Sequence, residues 1–154
     1  MDVAVTGASG LIGSALTDAL TTDGHRVLRI TRRTDRVPDT ITWDPAAGTI
    51  DSEGLEGIEA LVHLAGAPIG RPHWSKAHKV SVLDSRVDGT ALISTTLASL
   101  RHPPNVLISA SAVGYYGDRG DEIVTEASPA GTGFLANVCQ LWEAATRAAD
   151  DGVK

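Results

Sequence analysis

Gly7, Gly10 and Gly13 recur at three-residue intervals in the run Val3-Ala4-Val5-Thr6-Gly7-Ala8-Ser9-Gly10-Leu11-Ile12-Gly13. An apolar, strand-like stretch precedes them and a stretch of helical period follows. The chemistry open to such a loop is the holding of a pyrophosphate. The first glycine permits the tight turn, the second admits the phosphate where a Cβ would stand, and the third lets the helix pack closely. Free amides and the positive end of the helix then complement the anion. The plain alternative is a tight strand-to-helix turn, although such turns rarely need three regularly spaced glycines. A second chemical group follows at Thr31-Arg32-Arg33. An acidic residue at the end of a second strand would accept hydrogen bonds from a ribose 2′-hydroxyl, whereas Arg32 and Arg33 offer guanidinium groups to a 2′-phosphate. The residues therefore point to NADP, with solvated surface arginines as the alternative.

The elements that must position these groups read as alternating strands and helices. Short apolar runs at Asp2 to Thr6, Arg26 to Thr31, Thr40 to Trp43, Ala60 to Leu64 and Val106 to Ser109 are expected strands one to five. Helical spacing covers Leu11 to Thr22, with Leu11, Ile12, Ala15, Leu16, Ala19 and Leu20 as its apolar residues and Gly24 as a C-terminal cap. It covers Trp74 to Leu100, with a stripe of Val80, Leu83, Val87, Ala91, Leu92, Thr95 and Leu97 and a close contact or kink at Gly89. A last helix is expected from about Gly131 to Phe134 through Leu135, Val138, Leu141, Trp142 and Ala145 to Asp150 to Gly152. The expected fold is α/β, a Rossmann-like three-layer sandwich with a doubly wound parallel sheet whose ligand lies beyond the carboxyl ends of the strands. Gly114 to Gly133 reads as a long loop over the sheet edge, of the kind that often carries function.

Composition narrows the classes. The 154 residues fit one domain, and 42% hydrophobic with 21% charged residues is the balance of a folded chain. Thirteen basic against nineteen acidic residues give a net charge of −6, with no cationic tract to track nucleic acid. No apolar run is long enough to span a membrane, and no signal peptide is evident. One cysteine, Cys139, makes neither an internal disulfide nor a metal site alone, which fits a reducing, cytoplasmic setting. His73 and His78 form only a coincidental pair, so no metal is expected. The segment Asp151-Gly152-Val153-Lys154 stops where a further strand is expected to begin, so residues 1–154 read as the N-terminal part of a longer protein.

With its T-G-x-x-G-x-x-G loop at Thr6 to Gly13, the sequence resembles the extended short-chain dehydrogenase/reductase superfamily. His63-Leu64-Ala65-Gly66 is similar to the segment that lines the adenine-ribose side of the cofactor, which implies contacts from Leu64, Ala65 and Gly66. The tract Ile108-Ser109-Ala110-Ser111-Ala112-Val113-Gly114-Tyr115-Tyr116-Gly117 is similar to the fifth-strand motif that carries a catalytic hydroxyl. Three further segments resemble an epimerase-family branch once labelled cell-division inhibitors. They are Ile41-Thr42-Trp43-Asp44, Ser85-Arg86-Val87-Asp88-Gly89-Thr90 and Phe134 to Glu143. That branch implies that Arg86 points toward the cofactor phosphates and that Thr31 with Arg32 holds the 2′-phosphate.

The chemistry of the superfamily uses a Tyr-x-x-x-Lys pair, whose lysine lowers the tyrosine pKa and holds the ribose while a Ser or Thr hydroxyl steadies the substrate oxygen. Ser111 supplies the hydroxyl. The pair falls on Leu135 and Cys139, or one residue earlier on Phe134 and Val138, and none of these performs its task. Tyr115 and Tyr116 are the nearest alternative proton donors, although loop packing is the commoner role for such residues. Cys139 on an apolar stripe reads as a core thiol, His63 as a packed residue, and Trp74 and Trp142 as helix anchors. Two functions remain open: an NADP-dependent oxidoreductase or sugar-nucleotide epimerase acting on a small carbonyl or sugar-nucleotide substrate, and an NADP(H)-binding or sensing protein without turnover. Substrate and oligomeric state are not legible.

Overall fold

The computed structural model describes residues 1–33, 37–70, 72–150 and 152–153. Asp151 and Lys154, in the segment read as the approach to a further strand, lie outside them. Strands β1 (Asp2–Thr6), β2 (Arg26–Thr31), β3 (Thr40–Asp44), β4 (Thr49–Ile50), β5 (Ala60–His63) and β6 (Val106–Ser109) form one sheet in the order β4-β3-β2-β1-β5-β6. The chain runs outward from β1 through β2 and β3, then returns to the other flank of β1 with β5. The strand order thus reverses at the β1/β5 boundary, where open α/β sheets carry their ligand crevice.

The sheet is mixed where an all-parallel one of five strands is expected. β4 is the addition, antiparallel to β3, with Trp43 opposite Ile50 and Asp44 opposite Thr49. A local turn makes it, because the Asp44 carboxylate accepts from Ala46 N at 3.0 Å and Ala47 N at 3.2 Å. Two residues are too few to show strand alternation in the sequence.

Helices α1 (Leu11–Thr22), α2 (Lys76–Ser99) and α3 (Phe134–Ala144) cover the sheet. Successive side chains of β1 face opposite layers. Val3 and Val5, with Val62, meet Leu16 and Leu20 of α1. Ala4 belongs to the other core with Leu28, Ile41, Trp43, Leu61 and Leu97. The result is the doubly wound, three-layer arrangement.

The buried helix faces differ from the expected stripes. On α2 they are Val82, Gly89, Thr90, Ile93, Ser94 and Leu97, while Val80 and Thr95 are exposed. Gly89 lies against Trp43 and His63, where a Cβ would stand 3.6 Å and 3.8 Å from the two rings. Ser94 buries at little cost, since its hydroxyl donates to Thr90 O at 2.8 Å. The helix starts at Lys76 rather than Trp74 because Ser75 caps it, accepting from His78 N at 3.1 Å. On α3, Val138 and Trp142 are buried as expected, but Leu135 and Leu141 face outward and the helix tightens to a 3₁₀ segment over Ala145–Ala149. The stretch from Gly114 to Gly133 is a loop with a 3₁₀ turn, Val113–Tyr116, at its entrance. Arg119 ties the loop together, donating to Pro129 O at 2.8 Å and Tyr116 O at 3.2 Å.

Candidate cofactor and active site

The glycine loop is built to a tolerance that excludes side chains. Gly7 has φ +67°, and a Cβ there would meet the Leu64 carbonyl at 2.9 Å and Ala65 N at 3.0 Å. A Cβ on Gly13 would stand 2.1 Å from Gly7 O, so α1 packs directly on the turn. Gly10 N donates to Gly7 O at 2.9 Å and closes the loop. Gly10 is also the N-cap of α1, with no capping side chain and no acidic residue in the first turn. An uncapped helix end above glycines at 7, 10 and 13 suits an anion. Leu11 and Ile12, 92% and 68% exposed, hold the lip of this cradle, where the expected apolar stripe placed them inside.

Thr6 works beneath the loop rather than on its surface. Its buried hydroxyl oxygen accepts from Leu64 N at 2.9 Å and Ala65 N at 3.1 Å and lies 2.8 Å from His63 Nδ1. With two amides already donating to it, the hydroxyl donates to Nδ1, which leaves His63 as the neutral Nε2–H tautomer. His63 is fully buried, and desolvation lowers its pKa from 6.5 to about 4. This clamp fixes the β5 end, including Leu64, Ala65 and Gly66, against Gly7.

At the end of β2, Thr31 Oγ1 accepts from Arg33 N at 3.2 Å, and Arg32 and Arg33 are exposed beside it. On the opposite flank of the crevice, Arg86 of α2 donates through Nη1 to Ala67 O at 3.0 Å and Val82 O at 3.2 Å. Its guanidinium lies over Trp142, 5.1 Å from the ring centroid, and against Gly66, whose notional Cβ would be 3.2 Å away. Ala67 N is held by Ser85 Oγ at 2.9 Å. Burial lowers the Arg86 pKa, with a smaller opposing effect from Cys139.

Ser111 follows β6 and donates to Glu143 Oε1 of α3. The pair borders an open depression of about 330 Å³ that Thr146 and Asp150 also line. Tyr115 and Tyr116 occupy the adjoining 3₁₀ turn, their rings edge to face at 5.2 Å, and neither phenol hydroxyl has a partner among the described residues. Tyr115 and Glu143 share a second depression of about 300 Å³. Cys139 is buried, with Sγ 3.7 Å from Ala112 O, and burial followed by the Glu143 charge raises its pKa against the opposing pull of Arg86. It is a protonated core thiol and no substitute for lysine. Trp74 packs edge to face on His78 and Phe134, anchoring the α2 and α3 starts. Among the described residues no group of three His, Cys, Asp or Glu could hold a metal, and no helix is long and apolar enough to cross a membrane.

Sequence reasoning missed Glu143, the Thr6–His63 clamp and the Arg86–Trp142 stack. Glu143 had a signal: it lies one turn beyond Cys139 and two beyond Leu135, on the same helical face.

Residues 3–141 match the model of the NAD dependent epimerase/dehydratase family. An epimerase family protein of Mycobacterium bovis is 47% identical over 147 residues, covering 96% of this chain and 48% of that protein. A nucleoside-diphosphate sugar epimerase from Corynebacterium glutamicum superposes with a TM-score of 0.84 at 43% identity, over 98% of this chain and 31% of that one. The human epimerase family protein SDR39U1, solved with NADPH, superposes with a TM-score of 0.83 at 34% identity, over 96% of this chain and 49% of that one. The chain spans about half the length of the curated relatives it matches. Sheet order, glycine cradle and a match along almost the whole chain agree, and the chain belongs to the NAD dependent epimerase/dehydratase family of the short-chain dehydrogenase/reductase superfamily.

Proposed function

We propose that this chain binds NADP(H) and forms the cofactor-holding part of an oxidoreductase or sugar-nucleotide epimerase acting on a small carbonyl or sugar-nucleotide substrate. The observation that carries the reading is the uncapped α1 terminus above Gly7, Gly10 and Gly13, at the switch point of the sheet, with Arg32 at the end of β2. When bound, the cofactor supplies hydride transfer at nicotinamide C4. The chain's own residues do the rest. The loop and α1 amides from Ala8 to Gly13, apart from Gly10 N which is spent on Gly7 O, receive the pyrophosphate, Thr31 and Arg32 with Arg33 take the 2′-phosphate, and Leu64, Ala65 and Gly66 present backbone to the adenine ribose. Ser111, steadied by Glu143, offers its hydroxyl to a substrate oxygen, and Tyr115 or Tyr116 supplies a proton donor. The NADPH held by the human relative is consistent with the choice of nucleotide.

Calorimetric titration with NADPH and NADH tests this. Wild type is expected to favour NADPH, and Arg32→Ala to lose about 10- to 100-fold of that preference, the value of a hydrogen bond to a charged group at roughly 1.5–3 kcal/mol. Equal affinities in wild type, or an indifferent Arg32→Ala, contradict the assignment.

A second reading, NADP(H) binding without turnover, is favoured by Leu135 and Cys139 standing where the Tyr-x-x-x-Lys spacing asks for a tyrosine and a lysine. Consumption of NADPH with a panel of carbonyl and sugar-nucleotide compounds separates the two.

A further inference from the structure

Among the described residues Arg86 is a cation without a carboxylate. Its partners are two carbonyls, both on Nη1, and the face of Trp142, so among the described residues Nε and Nη2 carry donors with no protein acceptor. The side chain is half-buried, and its free donors stay open at the surface of the crevice, where a ligand can take them up from water. Nor is the group free to swing. Nη1 is fixed to Ala67 O and Val82 O, Trp142 backs its plane, and Gly66 leaves just the space that it fills. A pre-positioned donor pair of this kind is built to receive oxygen acceptors.

Its place in the crevice selects the acceptor. Arg32 ends β2, on one flank of β1, and the α1 terminus stands at the end of β1 itself. Arg86 sits at Gly66 and Ala67, just past the end of β5 on the other flank, with Trp142 of α3 behind it. A dinucleotide with its adenosine at Arg32 and its pyrophosphate on the α1 amides must continue past β1 toward β5. By the connectivity of the molecule, the next oxygen-bearing unit after the pyrophosphate is the second ribose.

We infer that Arg86 holds the hydroxyls of the nicotinamide ribose, donating from Nε and Nη2 while Nη1 stays anchored to Ala67. The cation that Cys139 does not provide on α3 is thereby supplied from α2. Arg86 and Cys139 are close enough to influence each other's ionisation, which agrees with that exchange of place. The inference rests on the NADP(H) reading and differs from a contact between Arg86 and the phosphates.

Three ligands dissect the site by calorimetry: 2′-phospho-ADP, which ends at the diphosphate, 2′-phospho-ADP-ribose, which adds the second ribose, and NADPH. Arg86→Gln is expected to weaken the two ribose-bearing ligands about tenfold, the order of one hydrogen bond from a charged donor, and to leave 2′-phospho-ADP within about twofold. Unchanged 2′-phospho-ADP binding also reports an intact fold. Arg86→Lys keeps the charge and the aliphatic stem but cannot reach Ala67 O and a ribose together. It is expected to show the same selectivity with a smaller loss, and it carries the test if the glutamine variant does not fold. No loss in either variant overturns the inference, as does a loss already equally large with 2′-phospho-ADP, which would put Arg86 on the phosphates. Wild-type protein that binds none of the three sinks the NADP(H) reading and this one with it, whereas wild-type binding with an indifferent Arg86 sinks this one alone.

Discussion

At the scale of single residues, the buried clamp between Thr6 and His63 links stability to pH. The Thr6 hydroxyl donates to Nδ1, so a second proton on the ring would oppose two donors at 2.8 Å, inside a core that already disfavours the cation. His63 Nε2 has no partner among the described residues and would bring the charge nothing. The folded pKa of about 4 lies below the ordinary 6.5, so the neutral ring's contribution is whole above pH 6.5 and is lost as pH falls toward 4. The full span corresponds to about 3 kcal/mol. Urea unfolding at pH 7.5 and 4.5 is expected to show most of that loss in wild type and little of it in His63→Asn; equal losses would remove His63 as the cause. Ser111 carries the other residue-scale prediction. If the intact enzyme reduces a carbonyl, Ser111→Ala is expected to lower kcat by about 100-fold or more, as loss of a donor to a developing oxyanion does, with NADPH affinity unchanged. A rate within twofold of wild type would take Ser111 out of the chemistry.

At the scale of elements, the β1–loop–α1 unit was legible because its glycines sit at fixed offsets between a strand period and a helical one. The structure adds the reason for the third glycine, whose notional Cβ stands 2.1 Å from Gly7 O. Backbone is what it meets, so no side chain can turn aside. Gly13→Ala is therefore expected to push α1 from the sheet and cost about 3 kcal/mol, at the upper end of overpacking, visible as a lowered thermal midpoint and a loss of NADPH affinity. A variant as stable as wild type would show that the contact yields. The α2 stripe was not legible. Hydropathy favours Val80, Leu83 and Val87, yet Trp43 and His63 pack together beneath the helix, which meets them with Gly89 and buries Thr90 and Ser94 on its inward face. What decides the face is the shape of another element, which a periodicity cannot contain. β4 was missed for a simpler reason, since its two residues carry no pattern.

At the scale of the whole molecule, the sheet order brings three distant stretches to one crevice: the loop from Thr6 to Gly13, the arginines after β2, and the β5 end with Arg86 behind it. Alternation of short apolar runs and helical segments was enough to foresee that layering, because β-α-β connections have one favoured hand and one place for their ligand. The grouping proposed for the chemistry was harder to foresee. Ser111, Glu143 and Tyr115 gather at β6 and α3, but their grouping depends on long-range contact between a strand end and a helix face. The claim that the glycine cradle receives the cofactor phosphates is tested most directly by amide spectra of the 15N-labelled chain during titration with NADPH. The largest shifts are expected at Gly10 to Gly13, Thr31 to Arg33 and Leu64 to Gly66. Saturating NADPH that leaves those amides unmoved, or moves only signals elsewhere in the sheet, would contradict it.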